Sequence, residues 1–309
     1  MEQRLNQKIN LYSDYLIKKY GQKVFRAGVS AGIVCPHRVK KGGCVFCNPE
    51  TFTGDYQSRN LSVTEQLKEV TSRIKASCGD VKFLAYFQDE TSTAGNPEVL
   101  KAKYEEALSF PEAVGLVVST RPDALSDEII NILQKIPEPV TVEIGLQSVH
   151  DKSLAFLNRG HDFKQADTAI KVCGEAGLQV GVHLIWGIPG ETFQDMKETI
   201  CYVSDNPFIK QVKFHNLIIY KNTELAKYFS NEDLPSIDEY IDLLCDLLPY
   251  LKGNKIITRL FTSNVKKNQL ASGVIKGNKT KWMNQLRMQL YAENILQGSE
   301  TDTSYVYEK

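Results

Sequence analysis

Three cysteines lie close together in this chain, at Cys35, Cys44 and Cys47, and their type and spacing favour metal chemistry. The last two have C-x-x-C spacing, with Phe46 between them. Thiolates this close in sequence can face one point, which suits a soft metal ion or an iron–sulfur cluster. A [4Fe–4S] cluster held by three cysteines would leave one iron without a protein ligand, free to bind a substrate or cofactor.

Two other interpretations of these cysteines stay open from spacing alone. A zinc site needs a fourth ligand, and His37 could complete a Cys3His set. A disulfide is less favoured, because the chain has seven cysteines, an odd number, and shows no secretory pattern.

The composition is that of a folded globular protein, with 309 residues, 42% hydrophobic and 24% charged. We expect one large domain, or one domain with an appendage. The N-terminal residues show no apolar signal core, and no apolar run reaches the roughly 20 residues that a membrane span needs. The sequence therefore predicts a cytoplasmic protein, without a membrane partner, in a reducing compartment that suits unpaired thiols.

The charges balance overall but are unevenly distributed along the chain. Residues 1–41 contain nine Lys or Arg against two acids, and residues 252–292 contain nine more with no acid. One interpretation is that these basic segments form an ordinary solvated surface. The other is that they form a footprint, that is, a binding surface, for an anionic partner.

From residue 61 onward, helix-like and strand-like patterns alternate. The predicted strands span residues 24–34, 81–87, 115–120, 140–147, 179–188 and 211–220, and the predicted helices between them span 62–78, 97–108, 126–136, 163–176 and 191–204. Such alternation indicates parallel strands with right-handed crossovers. Six units could form either a partial barrel or an open doubly wound sheet.

Polar or glycine-rich residues follow nearly every predicted strand, which favours the barrel. In a barrel, the carboxyl ends of the strands converge on one mouth, whereas an open sheet would spread them along a line. We therefore predict an α/β fold, a partial (β/α)6 barrel over residues 24–230. A basic N-terminal arm (1–23) would precede it, and a small α+β C-terminal extension (231–309), basic at 252–292, would follow.

Over residues 24–220 the chain resembles the radical SAM superfamily, in particular the branch of the Elongator catalytic subunit and the oxygen-independent coproporphyrinogen oxidases. Radical SAM enzymes hold a [4Fe–4S] cluster with C-x3-C-x-aromatic-C, and Cys44-Val45-Phe46-Cys47 matches the closing half. The gap between the first two cysteines has eight residues here, and it is also long in Elongator-like members. The resemblance implies that Cys35, Cys44 and Cys47 bind three irons and that Phe46 packs near the adenine of S-adenosylmethionine (SAM).

The same resemblance implies further SAM contacts after the second to fifth strands, at Gln88, Glu90, Ser119, Gln147, Arg159, His183 and Gly187. The strand end Gly145-Leu-Gln147-Ser148 and the pair Asn158-Arg159 are the most specific of these matches. Arg159 would bind the SAM carboxylate bidentately.

The resemblance implies an enzyme that reductively cleaves SAM to a 5′-deoxyadenosyl radical, with electrons from a flavodoxin- or ferredoxin-like donor. Elongator-like relatives act on wobble uridine, and the basic segments suit a polyanion, so tRNA modification is the favoured activity and tRNA a candidate partner. The alternatives are an oxidoreductase acting on a small molecule or tetrapyrrole and, from another class, a non-catalytic zinc-binding module.

Overall fold

The computed structural model describes residues 3–58, 60–262, 267–271 and 275–307. Within them, one sheet of seven parallel strands has the spatial order β1 to β7, the same as the order in the chain. The strands are β1 Val24–Val29, β2 Lys82–Phe87, β3 Ala113–Thr120, β4 Val140–Gln147, β5 Gln179–Trp186, β6 Ile209–Asn216 and β7 Ile256–Arg259.

Helices connect and flank the strands, and many begin at a side chain that caps the first turn. Ser62, Asp162, Thr192 and Ser236 each accept a hydrogen bond from a backbone N–H of the first turn and form a capping box. The helices are α1 Tyr12–Tyr20, α2 Pro36–Lys41, α3 Val63–Cys78, α4 Pro97–Leu108, α5 Asp127–Gln134, α6 Asp151–Phe156, α7 Phe163–Glu175, α8 Phe193–Asp205, α9 Ile237–Leu247 and α10 Lys279–Ala292.

The sheet curls into a half-barrel, because side chains of strands that are not neighbours meet across its inner face. Arg26 of β1 lies 2.7 Å from Glu143 of β4, and Tyr86 of β2 lies 2.6 Å from Lys213 of β6. The predicted partial barrel is therefore confirmed.

Strand β4 shows how alternation separates the two faces of the sheet. The residues Val140, Val142, Ile144 and Leu146 belong to the main hydrophobic core. The alternate residues Glu143, Gly145 and Gln147 face the interior of the curl, where Gly145 and Gln147 line a cavity. One face of each strand therefore anchors the fold, and the other carries the polar chemistry.

The sheet has one strand more than the six that the sequence predicted. Residues 255–261, which the sequence pattern placed in the C-terminal extension, contribute β7, and this strand pairs in parallel with β6. Helices α9 and α10 pack on the residues that follow β7, where Tyr240 of α9 and Trp282 of α10 both contact Phe261. Part of the extension thus completes the barrel sheet.

The N-terminal residues pack against the barrel along much of their length. Ile9, Tyr12 and Leu16 are buried, and Leu11 forms a parallel bridge with Ile257 of β7. Helix α1 contacts both β1 and β7, the two edge strands. The segment predicted as a basic arm therefore covers the open side of the half-barrel at its amino end.

Candidate functional site

A cavity of about 320 Å3 opens at the carboxyl ends of the strands. It is lined by ten of the eleven residues that the sequence assigned to the cluster and SAM. These ten are Cys35, Cys44, Phe46, Cys47, Gln88, Glu90, Ser119, Gln147, Arg159 and His183. Residues that are distant in sequence are thus brought to one concave site, as the barrel prediction required.

Gly187 is the exception, since it is not among the residues that line the cavity. It has a left-handed φ of +85° after β5, and a Cβ built on it would lie 3.1 Å from Pro235. Its permissive backbone serves a tight turn against Pro235, and a contact of Gly187 with SAM stays a prediction.

The long gap between the first two cysteines contains a short helix that the sequence did not predict. Helix α2 begins with Pro36 directly after Cys35 and ends at Lys41, and the next residue, Gly42, has a φ of +77°. Proline at the first helical position and glycine just after the last are the usual helix boundaries. The insertion therefore occupies the gap with an ordered turn that returns the chain to Cys44.

The turn around Asn158 holds the cysteine loop from the other side. The side-chain amide of Asn158 donates to the Gly43 carbonyl at 2.7 Å, and the Asn158 carbonyl lies 2.6 Å from Nε2 of His37. Because a carbonyl only accepts, this His37 nitrogen carries a proton. The contact therefore fixes the imidazole ring against the Asn158 turn and leaves Nδ1 as its unprotonated nitrogen.

The cysteine loop has a cationic environment. An N–H of Arg159 lies 3.2 Å from the sulfur of Cys44, and one of Arg121 lies 3.8 Å from it. Burial, and then the neighbouring Cys44, raises the pKa of the Cys47 thiol to about 12, so this cysteine stays protonated unless a metal binds it. Positive charge beside these cysteines would stabilise an anionic cluster that they ligate as thiolates.

In the part of the chain that the structure describes, no three His, Cys, Asp or Glu side chains are grouped to hold a single metal ion. Three sulfurs on one zinc ion must lie within about 4 Å of each other, given bonds of about 2.3 Å. Three cysteines that ligate three separate irons of a cluster lie farther apart.

Two residues beside the cavity have strained backbones. Glu90 and Gln147 have φ values of 45° and 68°, and in the described residues the other positive-φ positions are Asn or Gly. Such conformations are costly for long side chains and concentrate at functional sites. Glu90 accepts from the backbone N–H of Cys35 and lies 2.9 Å from Arg38, so it holds the cysteine loop.

The Arg159 guanidinium already makes several contacts within the protein. Besides facing Cys44, it donates to the Gly145 carbonyl at 2.9 Å and lies 3.2 Å from His161. Burial and the nearby Arg159 lower the pKa of His161 to about 4, so this ring is neutral at physiological pH. These contacts fix the guanidinium beside Cys44, and fewer of its donors remain for a bidentate contact to SAM.

Below the cavity, each of the seven strands of the described sheet contributes one polar side chain to a layer, here called the inner polar layer. Its members, from β1 to β7, are Arg26, Tyr86, Ser119, Glu143, His183, Lys213 and Arg259. Glu143 is at its centre and is 1% exposed. It contacts Arg26 at 2.7 Å, and Tyr86 and His183 at 2.8 Å each.

This layer explains the surroundings of two predicted site residues. The Ser119 hydroxyl contacts Tyr86 at 3.1 Å and Glu143 at 3.3 Å, and His183 donates through Nε2 to Glu143. Burial lowers the pKa of His183 to about 4, and the paired cations hold the pKa of Glu143 well below its usual range despite its burial. A neutral imidazole therefore binds an ionised carboxylate.

Sequence reasoning missed five members of the layer and their neighbour His215. A charged residue within an apolar strand was the available signal, as in Glu143 of β4 or Arg26 of β1. The alternation of side chains along a strand supplies a second signal. It places Glu143 on the same face of β4 as the predicted site residue Gln147.

The basic segment 252–292 does not form one surface. Lys252 pairs with Asp205 and Asp302, at 2.9 and 3.2 Å. Lys255 is 5% exposed and donates to two backbone carbonyls, while Arg259 lines the cavity. The exposed basic residues are Lys276, Lys279 and Lys281, and Lys266 lies outside the described residues. Lys255 and Arg259 are therefore not part of an exposed footprint for an anionic partner.

Comparison with known proteins defines the class. Residues 29–203 match the radical SAM superfamily, and residues 209–292 match the radical SAM C-terminal domain. The chain therefore belongs to the radical SAM superfamily. It is a radical SAM enzyme, with a [4Fe–4S] cluster and SAM as its cofactors. The predicted family and cofactors are confirmed, and the non-catalytic zinc module is set aside.

The chain is similar to several curated proteins over most of its length. An uncharacterized protein of Methanocaldococcus jannaschii is 37% identical over 82% of this chain and 80% of its own. The YhcC protein of Escherichia coli is 34% identical over 76% of each chain. The tRNA uridine(34) acetyltransferase of M. jannaschii is 24% identical over 85% of this chain, which spans 55% of that protein.

Solved structures share the fold at low sequence identity. The Elp3 protein of Methanocaldococcus infernus has a TM-score of 0.69 and 18% identity, covering 89% of this chain and 64% of its own. The coproporphyrinogen III oxidase HemN of E. coli has a TM-score of 0.51 and 18% identity, covering 76% of this chain and 54% of its own. In the described ranges, no helix has both the length and the apolar character needed to cross a membrane.

Proposed function

We propose that this radical SAM enzyme modifies tRNA at the wobble uridine. The observation that carries the proposal is the similarity to a tRNA uridine(34) acetyltransferase over 85% of this chain, which extends beyond the cluster-binding half. Elp3 of M. infernus also shares the fold over 89% of the chain. We propose further that the electrons come from a flavodoxin- or ferredoxin-like donor and that the enzyme is cytoplasmic.

In this proposal, the protein's residues hold the two cofactors and orient them. Cys35, Cys44 and Cys47 would ligate three irons, and Phe46 and Gln147 would contact SAM. The bound pair supplies one-electron chemistry that removes a hydrogen atom from the substrate. Phe46 packs with a buried apolar cluster that includes Ile185, which gives this side of the site an apolar wall.

The start of helix α10 supports an anionic partner. Lys279 and Lys281 lie in its first turn, which contains no acid, and both are exposed. Cations at a helix N-terminus are disfavoured by roughly 0.3–1 kcal/mol each, because the helix dipole is positive there. Helix stability alone would favour acids at these positions, so a phosphate-binding role accounts for the lysines.

This basic turn follows a segment that lies along the mouth of the cavity. Leu270 forms an antiparallel bridge with Tyr220, and Tyr220 lines the cavity. The side chain of Lys221 donates to the Asn268 carbonyl beside it. A tRNA strand bound along this rim could place a single unstacked base in the cavity, as enzymes that act on bases require.

The first test compares the modified nucleosides of tRNA from cells with and without this gene, by mass spectrometry. The proposal expects one uridine-derived nucleoside to disappear and a precursor to accumulate. An unchanged nucleoside profile in the deletion strain would reject the tRNA assignment and favour the small-molecule or tetrapyrrole alternative.

The second test is a double charge reversal, Lys279→Glu with Lys281→Glu. We expect weaker tRNA binding and a salt slope reduced by roughly 1.4, at about 0.7 for each lysine that no longer binds a single-strand phosphate. The helix itself should become slightly more stable, because acids replace cations at its N-terminus. Weaker binding could then not be attributed to unfolding.

The matched control reverses two exposed lysines of another helix, Lys164→Glu with Lys171→Glu on α7. It changes the net charge by the same amount. If both double variants weaken tRNA binding equally, only non-specific charge attracts the RNA, and α10 is not part of its binding surface. Trp282 is buried and donates to the Lys276 carbonyl, so its substitution should not change the salt slope.

A further inference from the structure

The inner polar layer, where the cavity ends, holds more positive than negative charge. Its charged members in the described residues are Arg26, Lys213 and Arg259 opposite Glu143. His183 adds no charge at neutral pH, because burial lowers its pKa to about 4. Burial also lowers the pKa of Lys213 to about 7, so two guanidinium groups and a partly protonated amine face one carboxylate. Such an imbalance in a mostly buried layer is costly unless something compensates it.

The single carboxylate cannot compensate all three cations, because its oxygens are already occupied. One oxygen of Glu143 binds Arg26 at 2.7 Å. The other accepts from Tyr86 and His183 at 2.8 Å each, and Lys213 lies 3.3 Å away. Glu143 therefore pairs with Arg26 and Lys213 and makes no pair with Arg259.

Arg259 is left on the opposite side. Its guanidinium lines the cavity and makes no hydrogen bond or ion pair with any residue that the structure describes. It carries a planar fork of five N–H donors, the geometry that matches a carboxylate. A half-buried guanidinium without a partner in a cavity points to an anionic ligand.

Lys213 is next to Arg259 and faces the same cavity. The two residues are register partners of the adjacent strands β6 and β7. Lys213 is 5% exposed, and it donates to the Tyr86 hydroxyl at 2.6 Å. Neighbouring strands lie about 4.8 Å apart, so the two cations flank one position that a small anion could bridge.

We propose that the substrate carries a carboxylate, which binds between Lys213 and Arg259 at the closed end of the cavity. The reacting carbon would then lie between this anchor and the cysteine loop at the mouth. His215 lines the same part of the cavity and hydrogen-bonds Thr262, so it is a neutral neighbour of the anchored group. The proposal rests on the proposed function only for the kind of molecule that presents the carboxylate.

A carboxylate fits this position better than a backbone phosphate of RNA. Each RNA phosphate is joined to two sugars, so the chain would have to pass through the closed end of the barrel to place one there. A base or a small molecule can instead enter alone with an acidic substituent. The planar carboxylate also pairs with one guanidinium through two parallel hydrogen bonds.

The test uses pairs of probes that share one scaffold and differ in the charge of the carboxyl group. Binding to the anaerobic holoenzyme, loaded with cluster and SAM but without reductant, is measured by calorimetry. One pair is 5-carboxymethyluridine against its uncharged amide, 5-carbamoylmethyluridine. The other is a tetrapyrrole with free propionates against its methyl ester. We expect the acid of at least one pair to bind tenfold or more tightly than its neutral partner.

This preference should fall below about threefold in Arg259→Gln and in Lys213→Met. The matched controls are Arg287→Gln on α10 and Lys210→Met, an exposed lysine of the same strand as Lys213; both should keep the preference. Arg259→Gln should also keep the melting temperature, because the guanidinium makes no bond in the described structure. A purely structural role for Arg259 would lower it.

The proposal is overturned if neither acid binds, if both pairs bind acid and neutral form alike, or if the preference persists in Arg259→Gln and Lys213→Met. The two probe pairs separate this result from the proposed function. A preference in the uridine pair supports both ideas. A preference confined to the tetrapyrrole pair supports the carboxylate anchor while rejecting tRNA as the substrate.

Discussion

Glu143→Gln tests the inner polar layer most severely, because it removes one charge and keeps the shape. The carboxylate is 1% exposed and contacts Arg26, Tyr86, His183 and Lys213 within 3.3 Å. Removing one partner of a buried pair typically costs about 3–5 kcal/mol, because the other charge stays buried without compensation. The glutamine amide would also present N–H groups to cationic donors. We therefore expect the upper part of that range.

The expected destabilisation is measurable as a melting temperature. At roughly 2 °C per kcal/mol for a chain of this size, Glu143→Gln should melt roughly 8–10 °C below the unmodified protein. The assay is anaerobic scanning fluorimetry of the holoenzyme at neutral pH. The control is Glu175→Gln, which removes an exposed carboxylate that lies 3.8 Å from Lys171 and contributes little.

The pH dependence gives a second measurement with a definite sign. The folded-state pKa of Glu143 is held well below the usual 4.5 by Arg26 and Lys213. Its stabilisation is therefore fully present above pH 4.5 and is lost as the pH falls below that value. The difference between the unmodified protein and Glu143→Gln should shrink in the same window. A melting temperature within 2 °C of the Glu175→Gln control at neutral pH would refute the central role of Glu143.

Two further predictions concern the residues around the cluster and the layer. Arg159→Gln should weaken SAM binding by roughly 1.5–3 kcal/mol. It should also lower the reduction potential of the cluster by on the order of 50 mV, since 59 mV corresponds to a tenfold change for one electron. The control Lys164→Gln should change neither quantity, and equal values for the two variants would remove Arg159 from the site. His183 should keep a neutral ring with the proton on Nε2 down to about pH 5, because burial lowers its pKa to about 4. The contribution of the neutral ring to protein stability is full above pH 6.5 and declines as the pH falls. A His183 ring that titrates near 6.5 by nitrogen NMR would contradict the buried contact to Glu143.

The sequence predicted most of the barrel because its local signals agree. Helix α4 and strand β4 begin and end at the predicted residues, since Asn96 caps one and a strict alternation marks the other. Strand β7 was placed in the extension because it has four residues and its pairing with β6 is a long-range contact. Helix α2 was missed because it is short and lies among lysines and glycines.

The site was predicted at its mouth and missed at its closed end. The cysteines and the residues after each strand follow recognisable motifs, and all but Gly187 line one cavity. The inner polar layer has no motif, because its members come from seven different strands. Which face of a strand turns inward depends on how the sheet curls, and a single strand such as Val24–Val29 does not encode that.

The central claim is that Cys35, Cys44 and Cys47 hold the cluster that activates SAM in this cavity. The direct measurement is iron, acid-labile sulfide and 5′-deoxyadenosine for the anaerobic protein with SAM and dithionite. We expect about four iron and four sulfide per chain, with SAM cleavage, and the absence of all three in Cys44→Ala. Cys78→Ala, an exposed cysteine of α3, should retain them. A Cys44→Ala protein that keeps its four iron and four sulfide and still forms 5′-deoxyadenosine would contradict the claim.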